Sequence, residues 1–422
     1  MLFLITKIYI TVMKKIFLFI FIQFLFLNLY SQQKVVFVRL EDNWALVDLD
    51  GENIFGEEFS DFSPPVIFSK PTGNVIYEYS DNTFRILKRN RYGYIDSKGN
   101  EIIKPQFDKA GDFQNSFAII ESEIGYDYID KSGKQITDKN LYKAYNFTDG
   151  YGLIKYRSKW NFVDSTGSFL FEKGFKDAYS FKDGYAIVQS KSGWGVIDTK
   201  GNWIIEPTYI KLNNIDLDKF SFVSNGKWGI INLKNEIITE PTFDKINDFS
   251  NGMASVVKDS KWGFVNENGK LVINCSYDKV RDFSEDVTVV FKNELGGVVN
   301  KKGEIMIDFE YTNIKSCHEG ILRMKKGDLW GYLSKDGTII IPAKYINAED
   351  FSYGFARVKL TDKWFFINKN EENLFDKYFD GAYDFVNSYA RVKQGYKWGL
   401  IDGNGEYILE TKYRNINDVF NL

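Results

Sequence analysis

An aromatic residue returns every 34 positions through nearly the whole chain. Stepping by 34 from Tyr92 lands on Tyr126, Trp160, Trp194, Trp228, Trp262, Gly296, Trp330, Trp364 and Trp398, with no residue gained or lost. Trp44 is a further anchor, 48 residues before Tyr92, which is one period plus 14. Eight of the nine tryptophans occupy this slot, so the register is not an accident of composition. A chain with so strict a period is a stack of small units, each burying its apolar face against the next.

The other recurring positions read as turns and strands. Four residues after the anchor stands Asp or Asn in every unit but one, where Ser334 takes the place, and three residues later comes Gly. Asn235 and Glu371 fill the two exceptions to that Gly. In Asp-x-x-Gly the carboxylate accepts a backbone N–H and Gly supplies positive φ, which predicts a hairpin. Asn235 tolerates that conformation; Glu371 adopts it at a cost. An aromatic follows at plus 15, often after Pro as at Pro105, Pro207 and Pro241, and a Phe at plus 21, as at Phe113, Phe283 and Phe385.

Each unit therefore reads as a meander of three strands: a Gly-x-Ala-x-Val segment, the Trp-anchored segment, and an aliphatic run that ends before Pro. The Gly beside Trp is expected to let a neighbouring unit's aromatic lie on bare backbone. Helical 34-residue repeats are excluded, because Gly, Asp-x-x-Gly and Pro interrupt the chain every ten or so residues and each interior Gly costs a helix about 1 kcal/mol.

The run Lys-Trp-Gly-(Phe/Ile/Val)-(Ile/Val)-(Asp/Asn)-x-x-Gly followed by Ile-x-Pro-x-(Tyr/Phe)-Asp resembles the WG-containing (KWG) repeat family, most closely from Lys227, Lys261 and Lys397. The resemblance covers about residues 35 to 418 and implies a bacterial β-repeat protein, often exported, with no common catalytic activity. Gly296, Tyr126-Asp127, Trp160-Asn161 and Trp364-Phe365 depart from the pattern without breaking the period.

The expected fold is all-β: tandem 34-residue meanders forming an open β-solenoid or superhelix. A large β-propeller is the alternative. About eleven three-stranded units exceed the usual four to eight blades of four strands. The chain also begins on the first strand of a unit and ends just past the third, which leaves no strand to complete a shared blade. Residues 59–79, with Pro64-Pro65 and Pro71, form an insertion expected as a surface loop near the N-terminal cap.

Met13-Lys14-Lys15, the apolar run Ile16 to Leu29 and Ser31 read as an export signal over residues 1–31, with translation starting at Met1 or Met13. The run is short for a span of about 20 residues, so an uncleaved anchor is the lesser reading. The mature repeat domain is then 32–422, without an integral membrane segment, placed in the periplasm, on the cell surface or outside the cell. Net charge is −3, and removing Lys7, Lys14 and Lys15 with the signal gives −6. That balance, with acids and bases interspersed, excludes the basic footprint of a nucleic-acid partner.

Few residues are left over for chemistry. His318 is the single histidine and sits beside Cys317, where other units carry Phe, so no set of three or four metal ligands or Ser/His/Asp arrangement is expected. Cys275 and Cys317 are the only cysteines, and their spacing does not decide whether they pair. Asp96, Asp130, Asp164 and Asp198 form a column already explained by turns, without the dense acidic loop of a Ca²⁺ site. No catalytic residue, metal or cofactor is assigned. The expected function is a non-catalytic exported surface that binds or scaffolds a protein or glycan, with aromatics outside the repeat slots, such as Trp203, as contacts. The alternative is an extracytoplasmic hydrolase on the same scaffold, which requires a polar pocket of acids near Asp282, Glu285 and Asp286.

Overall fold

The computed structural model describes residues 33–56, 61–63 and 75–421; the expected export signal lies outside them. Every regular element among the described residues is a strand, and the strands form eleven sheets in chain order, antiparallel but for one pair in the second. We number these blades by their anchors, from blade 1 (Trp44) to blade 11 (Trp398).

Blade 7 shows the complete unit. Its strands are Lys245–Ser250, Met253–Lys258, Lys261–Asn266 and Leu271–Tyr277, paired in that order. The expected three strands are its last three. The extra first strand escaped the sequence pattern because it is short and interrupted: its pairing shifts between Ile246 and Phe249, and in blade 8 it shrinks to Lys279–Val280.

That strand also corrects the solenoid expectation, because the fold is the large propeller held as the alternative. After the last complete unit, Asn415–Ile416 pairs with Lys34–Arg39, and Phe420–Asn421 pairs with the same strand. The C-terminus thus supplies blade 1 with the first strand its own sequence lacks. The strand thought to be missing was the one left unrecognised in every unit. Within the expected loop 59–79, Asp61–Ser63 pairs in parallel with residues 75–77, and Val75–Ser80 is the first strand of blade 2; the rest lies outside the described residues.

The core lies between blades, since alternate residues of a strand face opposite neighbours. Val36 and Val38 of blade 1 pack with Leu400 and Leu409 of blade 11, whereas Val35 and Phe37 pack with Phe84 and Ile86 of blade 2. A plus-21 aromatic plugs six of the joints in the same way. Phe113, Phe147, Phe181, Phe283, Phe351 and Phe385 are buried and lie 4.5–5.2 Å, ring centre to ring centre, from Tyr94, Tyr128, Phe162, Phe264, Tyr332 and Phe366 of the preceding blade. Such tilted or edge-on pairs contribute about 0.5–1.5 kcal/mol each beyond their buried area. Cys317 takes this slot in blade 9, buried, and so fills a core position.

Polar contacts repeat the same joint. Ser80, Ser250, Ser284 and Ser352 each donate Oγ–H to the carbonyl of the plus-21 residue one blade on. The Asp-x-x-Gly turn is formed as expected: in blade 2, Asp96 Oδ1 accepts the N–H groups of Lys98 and Asn100, both at 2.8 Å, and Gly99 has φ 83°.

Candidate binding cleft at blades 4 and 5

The Gly after the anchor decides whether a blade completes its fourth strand. A methyl carbon on Gly263 would lie 2.4 Å from the carbonyl oxygen of Ile273 in the fourth strand of the same blade. Gly93, Gly195, Gly229, Gly297, Gly331 and Gly399 face the equivalent carbonyl at 2.5–2.8 Å. The space is therefore reserved for the blade's own backbone, and the expected neighbouring aromatic is not what fills it. All seven blades with this Gly have a fourth strand. The four with Ala45, Asp127, Asn161 or Phe365 have only isolated bridges there. Side chains substitute for the strand contact: Asp127 accepts from the Thr137 hydroxyl at 2.7 Å, and Asn161 donates to the Phe171 carbonyl at 2.7 Å. Burial pushes the Asp127 carboxyl up, against the hydrogen bonds of Thr137 and Tyr128.

Blades 3 and 4 are consecutive, so the irregularity opens adjoining clefts. One, of about 570 Å³, is lined by Tyr156, Phe169 and Phe175 and by the exposed Arg157, Lys159, Lys173, Lys176 and Lys191, with Glu172 the single acid. Phe169 and Glu172 also line a second cleft of about 800 Å³ that reaches Thr137.

The charge of the first cleft has a local origin. The Lys or Arg before the anchor elsewhere pairs with the Asp at plus 16, as in Arg91–Asp108 (2.6 Å), Lys227–Asp244, Lys261–Asp278 and Lys363–Asp380. Each Lys holds its Asp below the usual carboxylate range. Asp244, Asp278 and Asp380 also accept an N–H from the following blade's hairpin, at Asp259, Asn293 and Gly395. In blade 4 the base is Lys159, but the plus-16 residue is Lys176, and Lys191 holds the hairpin place. Arg414 interrupts the pattern in the same way after Lys397, but it finds Asp42 at 3.0 Å. Lys159, Lys176 and Lys191 make no ion pair among the described residues. Sequence reading missed this cluster; the signal was one lysine in a slot where the motif carries Asp.

The residues singled out from sequence are placed as follows. The anchors are half-buried at the blade edge, apart from the buried Trp44 and Gly296, and most carry a cation over the ring, as Lys245 over Trp262 (5.3 Å) and Arg357 over Trp364 (4.9 Å). Trp203 is not a free contact: it is half-buried, its ring 6.2 Å from that of Phe175. The acids near blade 8 are not gathered in a pocket. Asp282 is exposed, Asp286 pairs with Lys301 at 2.7 Å, and Glu285 accepts the Gly320 N–H at 2.7 Å across the joint. Glu285 also accepts the Cys317 thiol at 3.4 Å, and burial with this carboxylate pushes that thiol up to about 12. Cys275 and Cys317 are free thiols in blades 7 and 9, and His318 is exposed, 3.9 Å from Asp350. Among the described residues no group of three or more His, Cys, Asp or Glu is placed to hold a metal ion, and no helix is long and apolar enough to cross a membrane.

No curated protein matches the chain. Solved structures similar to it include a eukaryotic initiation factor, at 12% identity over 83% of this chain and 96% of that one with a TM-score of 0.40. Another is the computationally designed Ika8 protein, at 13% identity over 62% and 93%, with a TM-score of 0.30. The family profile described as WG containing repeat matches ten consecutive segments: 92–123, 128–160, 162–193, 194–227, 228–262, 262–295, 297–330, 330–364, 364–398 and 398–421. With its period, turns and blades all in that register, this chain belongs to the WG-containing repeat family.

Proposed function

We propose that the chain is an exported, non-catalytic ring that binds or scaffolds a protein or glycan outside the cytoplasm. The observation that carries this reading is the cleft at blades 4 and 5: a concave site of about 570 Å³ with an aromatic floor and unpaired cations, on a scaffold whose other recurring polar groups are bound to each other. That size and lining fit a ligand site. Support for export comes from the charged start at Met13 and the apolar run that follows it. A pull-down and a glycan array with the chain from Gln32 test the reading, and a saturable partner is the expected result. Turnover of a polysaccharide or peptide, abolished by one acid-to-amide change, would replace it with the hydrolase.

A further inference from the structure

We infer that the cleft at blades 4 and 5 binds an acidic saccharide through its carboxylate, which takes the place that an Asp side chain occupies after blades 6, 7 and 10. The inference rests on the binding reading above and names the ligand class for that site.

The argument starts from a missing charge. In three joints a carboxylate sits between the cation before the anchor and a hairpin N–H of the next blade, as Asp244 does between Lys227 and the Asp259 N–H at 2.9 Å. Here Lys176 replaces that carboxylate opposite Lys159, with Lys191 at the hairpin place. The result is a cluster of cations along one cleft, in which Lys173, Lys191 and Arg157 join Lys159 and Lys176. Like charges brought together at a surface are unfavourable unless an anion joins them.

The floor narrows the class. Tyr156 and Phe169 meet edge to face at 5.3 Å and line the cleft half-buried, offering apolar surface to the C–H face of a sugar ring. Ser158 and Ser190 line the same cleft with hydroxyls that can serve a sugar's own. A peptide finds less to hold. The edge of the third strand is already satisfied: Trp160 exchanges two backbone bonds with Phe175, Phe162 O accepts from Leu170 at 2.8 Å, and the Phe162 N–H is taken by Asn161 Oδ1. No open strand edge is left for an extended chain to join.

Calorimetric titration of the chain from Gln32 tests this with three probes: an oligogalacturonate, an uncharged oligosaccharide of equal length, and poly-glutamate. The oligogalacturonate is expected to bind, to weaken tenfold or more as salt rises, and to exceed both other probes. Lys176→Asp rebuilds the regular ion pair with Lys159 and is expected to fold normally and bind at least tenfold more weakly. Lys234→Asp, the same charge change on an exposed turn of blade 6, is expected to stay within twofold. Equal binding by Lys176→Asp would overturn the assignment. Tighter binding of poly-glutamate, lost in the same variant, would give the cleft to an acidic peptide instead. No binding of any probe would also overturn it, while the array and pull-down decide the broader reading separately.

Discussion

Arg391 and Asp418 lie 2.7 Å apart across the seam that closes the ring, one on the second strand of blade 11 and the other beside the C-terminal strand that completes blade 1. The same contact, 27 residues apart each time, joins Arg85 to Asp112, Arg323 to Asp350 and Arg357 to Asp384, at 2.7–3.0 Å. Arg391 also donates to the carbonyl of Ile416, as Arg85 does to Ala110 and Arg323 to Ala348. The seam is thus built as an ordinary joint between blades.

Removing these arginines is expected to cost according to burial. The side chains of Arg85 and Asp112 are 8% and 10% exposed, so Arg85→Ala removes the cation that faces a buried carboxylate and should destabilise by about 3–5 kcal/mol. Arg391 and Asp418 are 18% and 45% exposed, and Arg391→Ala should cost about 1–2 kcal/mol. Urea unfolding of both variants measures the difference; equal losses would contradict the burial argument.

Gly263→Ala is expected to detach the fourth strand of blade 7, because its new methyl would lie 2.4 Å from a backbone carbonyl that cannot swing away. A loss of about 2–4 kcal/mol is expected, with hydrogen exchange rising over residues 271–277. The converse change, Asn161→Gly, should raise protection over residues 170–174 and narrow the adjacent cleft.

At the two turns that lack Gly, a tyrosine of the preceding blade compensates. Tyr209 donates to Asn235 Oδ1 at 2.6 Å and Tyr345 to Glu371 Oε1 at 2.9 Å, where φ is 61° and 66°. Glu371→Ala keeps the strained backbone and loses both this bond and the half-exposed ion pair with Lys344 at 2.5 Å, so a cost of about 1–2 kcal/mol is expected. Glu371→Gly loses the bond but relieves the strain, and should fall within about 1 kcal/mol of the parent. A cycle with Tyr345→Phe should show the same coupling, that of the lost bond, for either replacement, with the strain appearing only in the single-variant costs.

Cys317 should resist thiol reagents in the folded protein even at pH 9, since its thiol titrates at about 12 against an ordinary 9.0. The folded state keeps this proton over a range in which the unfolded chain has lost it. Its contribution to stability is therefore full below pH 9 and declines as pH rises toward 12. Mass-spectrometric alkylation at stepped pH reads the thiol, and a Cys317→Ala background isolates its share of the alkaline loss.

Much of the fold was legible because its causes are local. Asp96 and Gly99 make their turn within five residues, and Trp262 marks its strand whatever lies beside it. The first strand was not legible, since Lys279–Val280 is too short to show a period and is fixed by Lys279 pairing with Phe291 in the next strand. Closure was illegible for the same reason: a ring and a superhelix share their unit and differ in a small rotation between blades that leaves no pattern in one sequence. The cleft was hidden differently. Asn161 and Lys176 look like ordinary drift, and they acquire meaning only when the structure shows that one displaces a strand and the other removes an anion.

The pairing of Val38 with Ile416 also sets an order of assembly. The opening strands leave the ribosome long before the segment that covers them exists. Blades 2 to 10 can settle in turn against a neighbour just completed, but blade 1 must wait with Val36 and Val38 uncovered until Ile416 and Val419 arrive. Loop-closure entropy over almost the whole chain falls on this one step. The seam is therefore the natural point of slow folding, and the place where a second molecule's tail could be captured in error to make a strand-swapped dimer.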